Sequence, residues 1–201
     1  MGAFTLGEAA LPVAGFSRVA RQEAAVDVAE PRAAELRSIR AAQSGDRVAF
    51  GALYEQYVRL VHGILLARVP WLDVDDLVQD VFLSAMQRLP DLRDPRAFGG
   101  WLAAMARNKA TDHFRRAPRM EEMPDDLPAA SQERTEALEV LGAIRRLPAA
   151  YRETLVLRLV EGMTGPEISA RTGLTPASVR VNLHRGLKLL RERLKGDGPH
   201  V

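Results

Sequence analysis

The sequence predicts an all-α protein in which a flexible acidic linker joins two small helical domains. Apolar residues recur every three or four positions along several segments, which is the period of an amphipathic helix. Hydrophobic residues make up 47% of the 201-residue chain and aromatic residues only 5%. Alanine and leucine, which supply much of the apolar content, favour helices over strands. Acidic and basic residues are also segregated along the chain, so the domains and the linker differ in charge.

Residues 1–43 are expected to be an N-terminal extension that is flexible or becomes ordered on a partner. They begin with small residues, glycine and proline and continue as a mixture of alanine, glutamate and arginine. The apolar periodicity of this segment is poor, and a segment that buries little apolar surface does not offset the entropy lost on ordering. The first domain is therefore expected to begin after it and to span residues 44–116.

The first domain is expected to contain three helices. A periodic apolar face from Phe50 to Leu65 predicts the first helix, which Pro70 ends. Asp73 is expected to cap the second helix, whose acidic first turn suits the helix dipole. Pro90 ends that helix, and a third helix follows a polar loop.

The second and third helices each separate an inner face from a polar outer face. The inner face of the second helix is expected to consist of Leu77, Val78, Val81, Phe82, Ala85, Met86 and Leu89, and its outer face of Asp76, Gln79, Asp80 and Gln87. The outer face of the third helix is expected to hold Arg107, Asn108, Lys109, Thr111, Asp112, Arg115 and Arg116. By itself, each polar face is more typical of a solvated surface than of a partner site.

Residues 117–134 are expected to be the linker. Three prolines interrupt this segment, and residues 121–139 hold seven acidic side chains and one basic side chain. Such a segment does not bury enough apolar surface to fold alone. The second domain is expected at residues 135–196, followed by a short tail at residues 197–201.

The boundaries of two helices in the second domain predict a helix-turn-helix. Thr164 and Glu167 have the spacing of a capping box, in which each side chain satisfies a backbone amide of the other residue. Gly173 tolerates the left-handed conformation that ends a helix, and Thr175 with Pro176 begins the next one. That last helix carries an apolar stripe beside a cationic stripe of Arg180, His184, Lys188, Arg191 and Lys195. A helix presented in this way has the geometry to enter the major groove of DNA.

Two separate parts of the chain resemble regions of one known family. Residues 76–82 (DLVQDVF) and residues 101–116 (WLAAMARNKATDHFRR) resemble region two of a bacterial sigma factor of the extracytoplasmic-function (ECF) type, in the sigma-70 family. Residues 147–153 (LPAAYRE), together with the helix-turn-helix after them, resemble region four of the same family. The two motifs occur in the family's order, with an acidic linker between them.

The resemblance implies a fold, partners and site residues. It implies a three-helix region-two domain and a region-four helix-turn-helix domain that bind core RNA polymerase and promoter DNA, under the control of an anti-sigma factor. The polymerase would bind Asp76, Gln79, Asp80 and Phe82. The minus-ten element of the promoter would bind Trp101, Arg107, Asn108, Lys109, Asp112, Arg115 and Arg116. The minus-thirty-five element would bind Ser178, Arg180, Val181, His184, Arg185 and Lys188.

The sequence departs from the family pattern within region four. Val181 and Asn182 stand where the family commonly has serine and arginine, and Gly165 with Pro166 replaces a more usual aromatic and acidic pair. An exposed valine could contact the methyl group of thymine in the major groove. The promoter sequence therefore does not follow from the resemblance.

Composition argues against several other kinds of site. The chain has no cysteine, which excludes disulfides and cysteine-based metal sites, and its four histidines lack the spacing of metal ligands. No run of about 18 apolar residues exists and the N-terminus does not resemble a secretory signal, so a cytoplasmic protein that is not inserted in the membrane is expected. We expect no cofactor, no metal and no small-molecule substrate.

Two other functions remain as alternatives. A conventional DNA-binding regulator would account for the helix-turn-helix but would leave the acidic helix at residues 76–82 and the linker without a role. An enzyme that uses Asp112 and His113 is less consistent with the sequence, because adjacent residues on a helix point about 100° apart and do not form a catalytic dyad. We therefore expect a protein that is not an enzyme.

Overall fold

The computed structural model describes residues 29–116 and 132–196, and within these ranges the chain is helical and contains no β-strand. The predicted all-α class is confirmed. In chain order the helices are α1 (Ala29–Gln43), α2 (Arg47–Leu66), α3 (Val74–Arg88), α4 (Phe98–Arg116), α5 (Gln132–Arg145), α6 (Ala149–Leu159), α7 (Gly165–Thr172) and α8 (Pro176–Gly196). Short 3₁₀ turns at Trp71–Asp73, Leu89–Asp91 and Pro95–Ala97 join α2, α3 and α4.

The first helical group, residues 36–116, packs α3 and α4 against α2. Asp46 begins α2 by accepting hydrogen bonds from the amides of Val48 and Ala49 at 2.8 and 3.0 Å. On the predicted apolar face of α2, Phe50 and Tyr54 are half-buried, and the other residues, including Leu53, Leu60 and Ile64, are buried. Each such side chain contributes about 1.5–3 kcal/mol by leaving water. This buried face fixes α3 and α4, which carry the polar surfaces predicted from the sequence.

Helix α1 covers residues 29–43 of the segment that was expected to be flexible or to become ordered on a partner. In its last turns Ile39 is 1% exposed, and the amide of Gln43 donates to the carbonyls of Leu89 and Leu92 at 3.1 and 2.8 Å. The periodicity of the segment was weak because a few isolated contacts, rather than a continuous stripe, hold this end in place. Residues 1–28 lie outside the described ranges.

Helix α3 begins and ends where it was predicted, although its cap differs. Asp73 occupies the N-cap position, but its side chain makes no capping hydrogen bond. Its carboxylate instead lies 3.3 Å from Nε2 of His113, on α4. The acidic residues Asp75 and Asp76 occupy the first turn as expected.

The second helical group, residues 132–196, contains the predicted helix-turn-helix. The capping box at the start of α7 is confirmed, because Thr164 and Glu167 exchange hydrogen bonds in both directions. Gly173 ends α7 with a φ of 77°, in the left-handed region where glycine carries no steric penalty. Thr175 caps α8 by accepting from the amide of Ser178 at 3.1 Å. The turn therefore sets the direction of α8 through local chemistry that the sequence encodes.

Both groups belong to one compact unit, of which residues 36–116 and 132–196 are described, and they share a continuous core. Helix α2 approaches α6 so closely at Gly63 that a Cβ there would lie 2.7 Å from Leu157. Helix α4 meets α7 in the same way, since a Cβ at Gly99 would lie 2.9 Å from the carbonyl oxygen of Arg171. Glycines thus allow the backbones of the two groups to come together. The sequence predicted the two groups but not the packing between them.

Residues 117–131 of the predicted linker lie outside the described ranges. Helix α5 begins at Gln132, slightly before the boundary expected at residue 135. The predicted tail at residues 197–201 also lies outside the described ranges.

Candidate nucleic-acid and polymerase interfaces

Helix α8 presents the predicted cationic face to solvent. The exposed side chains on this face between residues 180 and 188 are Arg180, Val181, His184, Arg185 and Lys188. Val179 and Leu190 on the opposite face are buried in the core and hold the helix in place. Ser178 is only partly exposed, and its hydroxyl lies 2.8 Å from that of Thr175. Five of the six residues predicted to read the minus-thirty-five element are therefore presented together.

The chemistry of this face suits a DNA groove. In a helix-turn-helix, the N-terminal residues of the second helix reach the base edges. Arginine pairs with guanine through two hydrogen bonds, and an apolar side chain contacts the methyl group of thymine. Val181 keeps 44% of its surface exposed between the cations, so both kinds of contact are available on α8.

The residues predicted to bind the minus-ten element point in three directions around α4. Arg107 faces the second helical group, where its Nη2 and Nε donate to the two carboxylate oxygens of Glu153 at 2.6 and 3.0 Å. Lys109 faces α3 and forms an ion pair with Asp80 at 2.8 Å. The outward side holds Asn108, Asp112 and Arg115, which are exposed. The seven residues thus do not form one continuous surface in this arrangement.

The outward side of α4 is the part that a nucleic acid can reach directly. Arg115 lies 3.8 Å from Asp112, and both side chains are largely exposed, so this pair contributes little to stability. Arg116 is the last residue of α4. Trp101 is partly buried and packs on Phe98, with ring centroids 5.9 Å apart. Its exposed part is available for stacking against a base.

Helix α3 presents a mixed acidic and apolar face. Asp76, Gln79 and Asp80 are exposed as predicted. Leu83 and Met86 continue the same face and remain 58% and 45% exposed. Large exposed apolar side chains beside polar ones are typical of a protein-binding surface. The sequence prediction did not place these two residues on the polar face, although Leu83 lies three residues from Asp80 and Met86 lies three residues from Leu83.

Two predictions for α3 need correction. Met86 was expected to face inward, but the helix turns it towards solvent because Val81, Phe82 and Ala85 already fill the inner face. Phe82, predicted to contact polymerase, is only 4% exposed and packs on Tyr54 with ring centroids 4.6 Å apart. Phe82 therefore supports the α3 face from behind.

Glu153 is a buried acidic residue at the boundary between the two helical groups. It is 7% exposed and accepts hydrogen bonds from Arg107 and from Nη2 of Arg68, the latter at 2.8 Å. Burial alone would raise the pKa of Glu153, but the hydrogen bonds and charges of Arg107 and Arg68 outweigh it and lower the pKa below its ordinary value. The same contact raises the pKa of Arg107. Glu153 thus remains ionised where it is buried.

Other ionisable residues bridge the same boundary. Nδ1 of His62 lies 2.6 Å from a carboxylate oxygen of Glu161, beside a cavity of about 350 Å³ that Gln79 also lines. Arg171 donates to the carbonyl of Gln56 at 2.7 Å and lies over the ring of Tyr57. In the described ranges, no group of three or more histidine, aspartate or glutamate residues is arranged to hold a metal ion. No helix there is long and apolar enough to cross a membrane.

Comparison with known proteins identifies both helical groups. The family model for sigma-70 region 2 matches residues 53–120, and the model for sigma-70 region 4 matches residues 137–190. The chain is 32% identical to the RNA polymerase sigma factor NccH of Alcaligenes xylosoxydans xylosoxydans over 171 residues, which covers 78% of this chain and 91% of NccH. It is 29% identical to the ECF RNA polymerase sigma factor BldN of Streptomyces coelicolor, of which it spans 64%.

The architecture also matches a solved structure. The chain resembles CnrH in its complex with the cytosolic domain of CnrY, with a TM-score of 0.60 and 31% sequence identity. The match covers 82% of this chain and 99% of the CnrH chain.

Proposed function

The chain belongs to the sigma-70 family of RNA polymerase sigma factors, in its extracytoplasmic-function group, and from this premise we propose a role for each of its surfaces. It binds core RNA polymerase and directs transcription from specific promoters. The observation that carries this proposal is the cationic face of α8, which follows a capped helix and a left-handed glycine turn in the region-four part of the chain. We assign this face to the minus-thirty-five element.

The mixed face of α3 is the surface that we assign to core polymerase. Its carboxylates and amide supply polar contacts, while Leu83 and Met86 supply apolar area. A conventional DNA-binding regulator would have no use for such a face at a distance from its DNA-binding helix. Comigration of the purified chain with core polymerase therefore separates the two functions.

The minus-ten element is assigned to α4. Asn108, Asp112 and Arg115 on its outward side, with Trp101 nearby, can hold a separated strand through phosphate contacts and base stacking. Extruding each base from the duplex costs a few kcal/mol. Helix α4 therefore needs to bind the strand only after it has unpaired. Arg107 and Lys109 would join this surface once released from Glu153 and Asp80.

Two weak DNA contacts become effective when a scaffold holds them together. A small module with a few phosphate contacts binds DNA non-specifically with a Kd of only about 10⁻⁴–10⁻⁶ M at physiological salt. Linking two modules gains about 10²–10⁴ in affinity, because the second contact becomes intramolecular. We infer that core polymerase supplies this scaffold, which places the activity of the chain in the cytoplasm.

We also propose that an anti-sigma factor controls the chain. Two observations support this proposal. The chain resembles the ECF family, and the similar protein CnrH was solved in complex with the cytosolic domain of CnrY. Purification of the chain from its native cells should recover a protein that blocks its transcription with core polymerase. Recovery of the chain without any inhibitory protein, from cells in which its promoters are silent, would contradict this proposal.

Run-off transcription with core polymerase and a genomic DNA library tests the central function. The wild-type chain should initiate at a defined set of promoters that core polymerase alone does not use. Arg180→Ala should weaken initiation at those promoters without loss of polymerase binding, because Arg180 lies on the α8 face.

The polymerase face has a matched pair of variants. Leu83→Arg should lower the affinity for core polymerase, whereas Val48→Arg should not, because Val48 is exposed on another helix. Absence of initiation by the wild-type chain on every template would refute the proposed function.

A further inference from the structure

Two arginines of the first helical group converge on one carboxylate of the second. Arg68 follows the end of α2, and Arg107 lies midway along α4. One oxygen of Glu153 accepts from both arginines, at 2.8 and 3.0 Å, and the other accepts from Arg107 at 2.6 Å. No sequence motif suggested Arg68, which the chain brings to Arg107 only by folding.

A single carboxylate neither balances the charge of these two guanidinium groups nor accepts all of their hydrogen bonds. Glu153 carries one negative charge and faces two positive charges. Nε of Arg68 is buried and has no hydrogen-bond partner among the described residues. Guanidinium groups match phosphate through two parallel hydrogen bonds, and a phosphate group offers more acceptor positions than a carboxylate. The two arginines therefore have the composition of a phosphate-binding site.

The position of the arginine pair suits a nucleic-acid strand. Asn108, which follows Arg107 in the chain, lies on the outward side of the helix that we assign to the minus-ten element, and Arg107 borders that side while facing Glu153. A strand that follows this side of α4 would bring its phosphates near Arg107. In the arrangement seen here, Glu153 holds the guanidinium group of Arg107, whose side chain is 31% exposed.

We propose that Arg68 and Arg107 form a binding site for a backbone phosphate of the promoter strand, and that Glu153 occupies this site while the two helical groups are packed together. This inference rests on the proposed function for the identity of its ligand. DNA and the second helical group then compete for the same two cations. Polymerase binding would require the two groups to separate, because α4 and α8 must then lie on different promoter elements. This separation opens the phosphate site.

The first experiment asks whether Glu153 closes the site. Full-length wild-type chain and Glu153→Gln would be titrated into a fluorescein-labelled single-stranded DNA of mixed sequence, because phosphate contacts do not depend on sequence. Glu153→Gln keeps the side-chain shape but removes the charge. We expect it to bind this DNA about tenfold more tightly, since a site that is seldom open loses affinity in proportion to its open fraction.

The same variant should separate the two helical groups. The chain has no cysteine, so Leu72→Cys and Leu194→Cys, both at exposed positions in different groups, give one unique pair of spin labels. We expect a longer and broader distribution of label distances in Glu153→Gln than in the otherwise wild-type pair. Circular dichroism verifies that both proteins retain their helices.

The second experiment asks whether Arg68 binds phosphate. In the Glu153→Gln background, Arg68→Gln should make the dependence of log Kobs on log salt concentration shallower by about 0.7, the value for one phosphate of single-stranded DNA. Arg47→Gln removes the same charge at the exposed start of α2 and is the matched control. A purely structural role for Arg68 would leave the salt dependence like that of this control.

The outcomes separate this inference from the proposed function. Unchanged label distances or unchanged DNA affinity in Glu153→Gln would overturn the role of Glu153 as occupant. A salt dependence for Arg68→Gln equal to that of Arg47→Gln would overturn the phosphate site. Either result can occur while the wild-type chain still initiates transcription with core polymerase, whereas failure of that initiation removes the proposed function itself.

Discussion

Single side chains decide where α7 begins. Glu167 accepts from the amide and the hydroxyl of Thr164, both at 2.8 Å, and the hydroxyl accepts from the amide of Glu167 at 3.3 Å. These bonds satisfy amides that the first turn of a helix leaves without partners. The start of the helix-turn-helix therefore depends on two residues.

Removal of this cap should cost stability. We expect Thr164→Ala to lower the free energy of unfolding by about 1 kcal/mol, because an amide at the helix start loses its acceptor. Urea denaturation followed by circular dichroism measures the change. Thr111→Ala is the control, since its hydroxyl returns only to the carbonyl of Arg107 within the same helix. An equal loss in both variants would show that the cap has no special role.

The contact between His62 and Glu161 should make the stability of the packed arrangement depend on pH. The hydrogen bond from His62 to Glu161 raises the pKa of His62 above its ordinary value of 6.5; desolvation opposes this, and the charges of Glu161 and Asp75 support it. A histidine with a raised pKa contributes its full stabilisation below 6.5 and loses it as pH rises through the higher value. The contact should therefore weaken above neutral pH.

Urea denaturation between about pH 6 and pH 9 tests this expectation, because histidine titrates in this range. His62→Gln should be less stable than wild type at the acidic end by less than about 1 kcal/mol, since His62 is partly exposed. The difference should shrink as pH rises. His184→Gln, at an exposed position on α8, should keep the wild-type pH dependence. A difference for His62→Gln that grows with pH would contradict the assignment.

At the scale of elements, adjacent glycines at the start of α4 have opposite environments. A Cβ at Gly99 would lie 2.9 Å from the backbone oxygen of Arg171, whereas a Cβ at Gly100 would meet nothing within 4 Å. We expect Gly99→Ala to lower the free energy of unfolding by about 1–3 kcal/mol through overpacking. Gly100→Ala should leave it unchanged or raise it by up to about 1 kcal/mol. Thermal and urea denaturation of the two variants provide the comparison, and a stable Gly99→Ala chain would show that α4 and α7 do not pack this way in solution.

The sequence predicted the ends of helices better than their environments. Prolines, the capping box and Gly173 act through local chemistry, so the boundaries of α3, α7 and α8 could be read directly. The exposure of Met86 could not, because an apolar residue at helical spacing also suits the edge of a buried face. The packing of α1 could not be read either, because Gln43 gains its hydrogen-bond partners, Leu89 and Leu92, from a distant part of the chain.

At the scale of the whole molecule, the shared core predicts that the two helical groups unfold together. Trp71 and Trp101, both in the first group, are the only tryptophans of the chain. Ile168, in the second group, is fully buried, so Ile168→Ala should cost about 2–5 kcal/mol. Tryptophan fluorescence and circular dichroism should then shift to the same lower urea midpoint, with Ile168→Val giving a smaller shift. A fluorescence transition that stays at the wild-type midpoint would mean that the groups unfold independently.

The packing between the groups is the part of the candidate site that the sequence did not predict. The outward face of α8 and the polar face of α3 follow from periodicity within one helix. The pairing of Arg107 with Glu153 joins residues far apart in the chain. No spacing or motif in the sequence distinguishes either residue from its neighbours. The close approaches at Gly63 and Gly99 likewise depend on what lies opposite them.

The contacts of Arg145 contribute to the free-energy cost of separating the two helical groups. It donates to the carbonyls of Leu66 and Val69 at 2.8–3.0 Å, and within the described ranges it forms no ion pair. Desolvation, followed by the nearby charge of Arg152, lowers the pKa of Arg145, so its cation is less favourably placed than in water. Separation would rehydrate this charge and also the two carbonyls. Rehydration therefore offsets part of the free energy lost when these hydrogen bonds break, so an incoming polymerase needs to compensate for less than their full strength.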